Sequence, residues 1–182
     1  MMSDVYIIEK NFDVKEEFEM LNHTIDPVYD SHSKILILGS FPSVKSREQQ
    51  FFYGHKQNRF WRVMAQVLDC AVPEDVTQKR AMLLTHHIAL WDVIASCEIT
   101  GSSDASIRDV QPNDLSRILS DADIRAIYTN GSKAYQLYQR YIFPQNGREA
   151  YLLPSTSPAN AGYSFERLEE AWGVIREPLG LG

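Results

Sequence analysis

The sequence predicts an α/β layered domain built on a mostly parallel sheet of four strands. Compact apolar runs alternate with segments of helical period along most of the chain, which is the pattern of strands joined by helical crossovers. The length of 182 residues, with 44% hydrophobic and 23% charged residues, is enough to bury one sizeable core. No internal repeat, low-complexity tract or linker divides it.

The elements follow in order. Lys34–Leu38 is a β-branched and leucine run that stops at Gly39-Ser40, the reading of a buried strand ending in a loop. Phe60, Trp61, Val63, Met64, Val67 and Leu68 recur at helical spacing, with Asn58 suited to cap that helix. A second helix is expected over Thr77–Thr85, leading into strand two, Ile88–Val93. Pro112-Asn113-Asp114 should open a helix running through Leu119. Ile124–Asn130 reads as strand three, Ser132–Phe143 as a helix, Tyr151–Leu153 as strand four and Ser164–Ile175 as the last helix. Residues 1–26 read as an N-terminal extension, helical around Val14–Leu21 and packed outside the sheet; residues 27–182 form the single domain.

Composition narrows the function. No apolar run approaches the roughly 20 residues of a membrane span, and the acidic start has no basic and apolar leader pattern. A cytoplasmic protein that does not engage membranes is expected. Cys70 and Cys97 have no C-x-x-C spacing, so they read as small buried apolar residues. Dinucleotide, Walker A and G-x-S-x-G signatures are missing. His86 and His87 have no carboxylate spaced to complete a metal site, and read as structural.

The formal charge of −6 argues on its face against nucleic acid, but it is unevenly spread. Residues 34–62 hold Lys34, Lys45, Arg47, Lys56, Arg59 and Arg62 against Glu48 alone, a net of +5, with Phe41, Phe51, Phe52, Tyr53, Phe60 and Trp61 interleaved. Such a stretch is either a solvated face over core aromatics or a local phosphate-binding surface on an acidic body.

Sheets of this kind place ligands beyond the carboxyl ends of their strands. The segments beginning Gly39-Ser-Phe-Pro-Ser43, Trp91-Asp92, Asn130-Gly131 and Pro154-Ser-Thr-Ser-Pro-Ala-Asn160 should therefore converge on one cleft. The hydroxyls and backbone N–H groups of Ser155, Thr156, Ser157 and Asn160 suit phosphate oxygens, although alone that loop is an ordinary turn.

Ile35-Leu-Ile-Leu-Gly-Ser-Phe-Pro-Ser43, Phe52-Tyr-Gly-His-Lys-Gln-Asn-Arg-Phe-Trp61, Ile88-Ala-Leu-Trp-Asp-Val93 and Leu153-Pro-Ser-Thr-Ser-Pro-Ala-Asn160 together resemble the uracil-DNA glycosylase superfamily, most of all its hypoxanthine-DNA (deoxyinosine) glycosylase branch. The resemblance spans roughly residues 27–176. It implies a three-layer α/β/α sandwich and an enzyme of base excision repair, with no cofactor and no metal; Lys45 and Lys56 read as phosphate partners rather than Schiff-base lysines, so a monofunctional enzyme is expected. The implied partner is double-stranded or single-stranded DNA containing deaminated bases, hypoxanthine first and uracil next, and a monomer is expected. Mismatch-specific members carry an asparagine in the first motif where this chain has Phe41, and the resemblance transfers the water-positioning role to Asn58.

Ser40, Phe41, Pro42, Tyr53, Asp92 and Asn130 are the expected base pocket, with Tyr53 stacking on the flipped base and Asp92 and Asn130 reading its edge. Ser43, Lys45, Ser46, Lys56, Arg59, Ser155, Thr156, Ser157 and Asn160 are the expected DNA contacts. Cleavage builds negative charge on the departing base, a task for backbone N–H groups around Ser40–Ser43. No paired carboxylates stand in these motifs, so a two-acid mechanism is not expected. Two other classes remain open on residues alone: a non-catalytic module that binds lesion DNA, and a flavodoxin-like binder of small molecules.

Overall fold

The computed structural model describes residues 18–100 and 104–182. Its strands are β1 (Glu19–Asn22), β2 (Ile35–Gly39), β3 (Ile88–Asp92), β4 (Ile94–Ile99), β5 (Arg108–Pro112), β6 (Ala126–Asn130) and β7 (Ala150–Leu153). Its helices are α1 (Val44–Gln49), α2 (Phe60–Val67), α3 (Val76–Thr85), α4 (Ser116–Asp121), α5 (Ser132–Tyr141), α6 (Phe143–Asn146), α7 (Phe165–Trp172) and α8 (Arg176–Leu179).

The central sheet has the order β3-β2-β6-β7, with every pairing parallel. This is the expected four-stranded α/β sheet. Strand β2 shows how alternation builds the layers. Ile35 and Ile37 face a core shared with α2, α3 and α7, while Leu36 and Leu38 face a second core shared with α4, α5 and β4. All four side chains are fully buried, so the run carries no polar position, as a strand covered on both faces requires.

Several boundaries depart from the sequence reading. Asp75 caps α3 by accepting the Gln78 N–H at 2.8 Å, and Ser164 caps α7 by accepting that of Arg167. The helix expected from Pro112 instead starts at Ser116, because Pro112 closes β5 and Asp114 accepts the Ser116 N–H at 2.9 Å. A second sheet, antiparallel and ordered β1-β4-β5, was not anticipated. Its strands carry few buried residues: Val110 is the buried one in β5, and β1 has none. The helix expected around Val14–Leu21 falls partly outside the described residues, and Glu19–Asn22 within it is strand paired to β4.

The segment after β1 is strapped across the sheet edge. The Trp91 indole donates to Ile25 O at 3.1 Å, and Val28 bridges Leu90. On the opposite side Trp172 is wholly enclosed, stands edge-on to Phe60 at 5.8 Å and donates its indole N–H to Pro154 O at 3.0 Å. It thus joins α7, α2 and the loop after β7. Trp172→Ala is expected to lower the unfolding free energy by about 3–5 kcal/mol, read as a lower urea midpoint at unchanged slope. A midpoint equal to that of the parent protein would refute this bracing role.

Candidate active site

A cleft of about 1050 Å³ opens where β2, β3, β6 and β7 end, and each of the four strand-end segments contributes to its wall. Of the residues singled out from sequence, Ser40, Phe41, Pro42, Ser43, Ser46, Tyr53, Asn58, Asp92, Asn130, Ser155, Thr156, Ser157 and Asn160 line it. Lys45, Lys56 and Arg59 do not.

Asn58 is held by its oxygen. Its Oδ1 accepts the Phe60 N–H at 2.9 Å, the first free donor of α2, and the Thr156 hydroxyl at 2.9 Å. A carbonyl oxygen has two lone pairs, so both are spent and the Nδ2 hydrogens remain. Thr156, fully buried, in turn accepts from Asn130 Nδ2 at 2.9 Å and donates its N–H to Asn130 Oδ1 at 3.0 Å. This pairing fixes the orientation of the Asn130 amide against Thr156 and leaves one lone pair of Oδ1 and one Nδ2 hydrogen for other partners.

Arg59 has a different task from the expected phosphate contact. Its guanidinium donates to the carbonyls of Thr156, Ser157, Asn160 and Tyr163, and its backbone N–H also goes to Thr156 O. Four of its five side-chain donors are thereby committed to shaping the loop after β7. Ser43 caps α1 by accepting the Ser46 N–H at 3.2 Å, and the buried Ser46 hydroxyl accepts the Gly54 N–H at 3.0 Å. These two serines tie the first motif to the second.

The basic, aromatic stretch of residues 34–62 resolves largely into structure. Phe51, Phe52, Phe60 and Trp61 are buried core. Lys34 reaches Leu179 O, Arg62 sits over the Phe165 ring at 4.9 Å, and Lys45 pairs with Glu48 on the surface, an exposed pair worth about 0–1 kcal/mol. Of its six bases, Arg47 alone lines the cleft, with its Nε buried and without a hydrogen-bond partner. The second cleft base, Lys133 in the first turn of α5, was missed. Its place just after Asn130-Gly131 at a strand end was the available signal.

Tyr53 stacks on Phe60 with centroids 4.0 Å apart and takes φ of +53°, a conformation costly for a bulky residue. Its hydroxyl is buried without a hydrogen-bond partner. Burial first, and then the Asp92 charge, push the phenol well above its ordinary value, against a smaller opposing effect of Asn130. The phenol therefore stays protonated. Gly39 makes this crowding possible, since a Cβ there would fall 2.3 Å from Asp92 Oδ1 and 3.1 Å from the Tyr53 oxygen.

Asp92, 4% exposed, is the only carboxylate on the cleft wall among the described residues. Its Oδ2 meets His23 Nε2 at 2.7 Å. Sequence reasoning missed His23, which lies 69 residues away on the segment leaving β1 and belongs to no local motif. Among the described residues no group of three or more His, Cys, Asp or Glu side chains is arranged to hold a metal.

The sequence profile of the uracil DNA glycosylase superfamily matches residues 27–176. The chain belongs to that superfamily. Within it, the chain is similar to a curated hypoxanthine DNA glycosylase of Methanosarcina acetivorans, 35% identical over 159 residues that cover 86% of this chain and 99% of the relative. A hypoxanthine DNA glycosylase of Methanosarcina barkeri is 34% identical over 74% of this chain and 85% of its own length. The solution NMR structure of a candidate uracil DNA glycosylase from Methanosarcina acetivorans superposes with a TM-score of 0.75 at 32% identity, covering 89% of this chain and 99% of that one.

In this superfamily member the Thr156 hydroxyl links both asparagines. Thr156→Val keeps the shape but leaves Asn130 Nδ2 without its acceptor and Asn58 Oδ1 one donor short. A loss of about 1–3 kcal/mol is expected, measured by urea unfolding with an unchanged far-UV CD spectrum. Parent-like stability would show that the hydroxyl is dispensable.

Proposed function

We propose that the protein is a monofunctional DNA glycosylase that hydrolyses the N-glycosidic bond of deoxyinosine and releases hypoxanthine. The observation that carries this reading is the tethering of Asn58. With both lone pairs of Oδ1 spent on Phe60 and Thr156, its Nδ2 hydrogens are offered to the cleft. One of them donates to one lone pair of a water and leaves the other lone pair for the sugar. The oxygen–C1′ bond forms as C1′–N9 breaks, the electron pair leaves with the purine, and solvent takes the water proton and protonates the base. Holding that water in place supplies orientation.

Two further features support the reading. Among the described residues the cleft wall carries one carboxylate, Asp92, and so offers no acid–base pair. Relatives alike over most of their length carry the name hypoxanthine DNA glycosylase, which supports hypoxanthine as the base released. Extrusion of the target nucleotide costs a few kcal/mol, less for a mispaired base. Arg47 and Lys133, the two bases on the cleft wall, are the groups that offset it through phosphates, in place of Lys45 and Lys56.

Single-turnover release from an inosine duplex tests the catalytic assignment. Asn58→Ala is expected to slow it about 10²–10³-fold with duplex binding nearly unchanged, and an unchanged rate would remove Asn58 from the reaction. Uracil and xanthine duplexes run in parallel rank the bases, and alkali cleavage of the product separates an enzyme from a binder that leaves no abasic site. Arg47→Ala and Lys133→Ala should each reduce the slope of log K against log salt by about one unit. A variant with the parent's slope has lost no phosphate contact.

A further inference from the structure

We infer that His23 is a positioning residue for base selection, fixing Asp92 so that one carboxylate oxygen faces the cleft as acceptor for a ring N–H beside a carbonyl. His23 lies outside residues 27–176, the part matched to the superfamily, so the inference rests on this chain's own contacts. It also rests on the cleft being a base pocket, as proposed above.

The hydrogen bonds run in one direction. His23 Nδ1 accepts the Ile25 N–H at 3.2 Å, and a nitrogen that accepts carries no proton. The proton is therefore on Nε2, which donates to Asp92 Oδ2 at 2.7 Å. The His23 main chain is fixed by its N–H bond to Ala95 O at 2.7 Å. Phe41, Phe52 and Trp91 also surround the imidazole with centroids 6.0–6.3 Å distant. Such an apolar enclosure strengthens the bond relative to water. Asp92 Oδ1, in contrast, has no hydrogen-bond partner among the described residues; it lies over Gly39, beside the Tyr53 hydroxyl, on a residue that lines the cleft.

An acceptor fixed in that place distinguishes bases by what deamination does to them. Replacing an exocyclic amine by a carbonyl turns the neighbouring ring nitrogen from an acceptor into an N–H donor, at N1 of hypoxanthine and xanthine and at N3 of uracil. Adenine and cytosine present a lone pair there, which a carboxylate repels. A site built to bond a substrate N–H rejects analogues without it, and the repulsion adds to the discrimination. Guanine and thymine share the N–H, so Oδ1 separates deaminated bases from adenine and cytosine only.

The test is equilibrium binding of the full chain to duplexes carrying 2′-fluoroinosine or 2′-fluoronebularine, whose glycosidic bonds resist cleavage. Nebularine is purine itself, with a lone pair at N1. The parent protein should prefer inosine by about 10- to 100-fold, the worth of one hydrogen bond to a charged group. Asp92→Asn should abolish most of that preference, because an amide also offers a donor to N1. His23→Phe, which fills the ring enclosure without a donor, should erode it similarly, and His23→Gln, which supplies an N–H, should restore it.

Equal binding of both duplexes by the parent, or full preference in a folded His23→Phe protein, would overturn the inference. If His23→Phe does not fold, His23→Ala takes its place with the same outcomes. Preference in binding without hypoxanthine release from an ordinary deoxyinosine duplex would overturn the catalytic reading and leave this one standing. Release without the preference would do the reverse.

Discussion

The hydroxyl of Thr156 is the atom on which the geometry of the cleft depends. It accepts from Asn130 at the end of β6 and donates to Asn58 ahead of α2, while the Thr156 carbonyl receives the backbone and side chain of Arg59. Three separate stretches of chain are thereby registered against one another by a residue with no solvent exposure. Buried polar networks of this kind are costly when half satisfied and rigid when complete. The fixed rotamer of Asn58 is a consequence, and so is the shape of the loop after β7.

A similar economy governs charge. The body of the protein is acidic, and a net of −6 disfavours indiscriminate attraction to a polyanion. Among the described residues the cleft wall carries Arg47, Lys133 and Asp92 as its fixed charges, a local balance opposite in sign to that of the whole chain. His23 brings the antiparallel sheet into the site, since the strand that carries it toward Asp92 pairs with β4.

Much of the fold was legible because its signals are local. The β2 run Ile35–Leu38 had no polar position to offer a solvent face, and the alternation of strands and helices dictated a parallel sheet with loops converging at one end. The antiparallel sheet was not legible. Strands β1 and β5 are mostly exposed, and what holds them is backbone pairing to β4, which leaves little trace in side-chain pattern. The register shifts in β4–β5 disturb even the alternation that remains.

For the site, the sequence by itself determined which segments meet, and the motifs that mark the superfamily are contiguous runs readable one by one. Only the tertiary structure decided what each polar side chain does. Arg59 looks like a phosphate ligand until its donors are seen to end on four loop carbonyls, and the orientation of the Asn130 amide is set by its two hydrogen bonds to Thr156. His23 has no motif at all, and its role exists because folding brings it 2.7 Å from Asp92. The reason is physical: backbone propensity and hydrophobic period are set by near neighbours in the chain, whereas the partner of a hydrogen-bonding group is whatever the packed fold brings within about 3 Å of it.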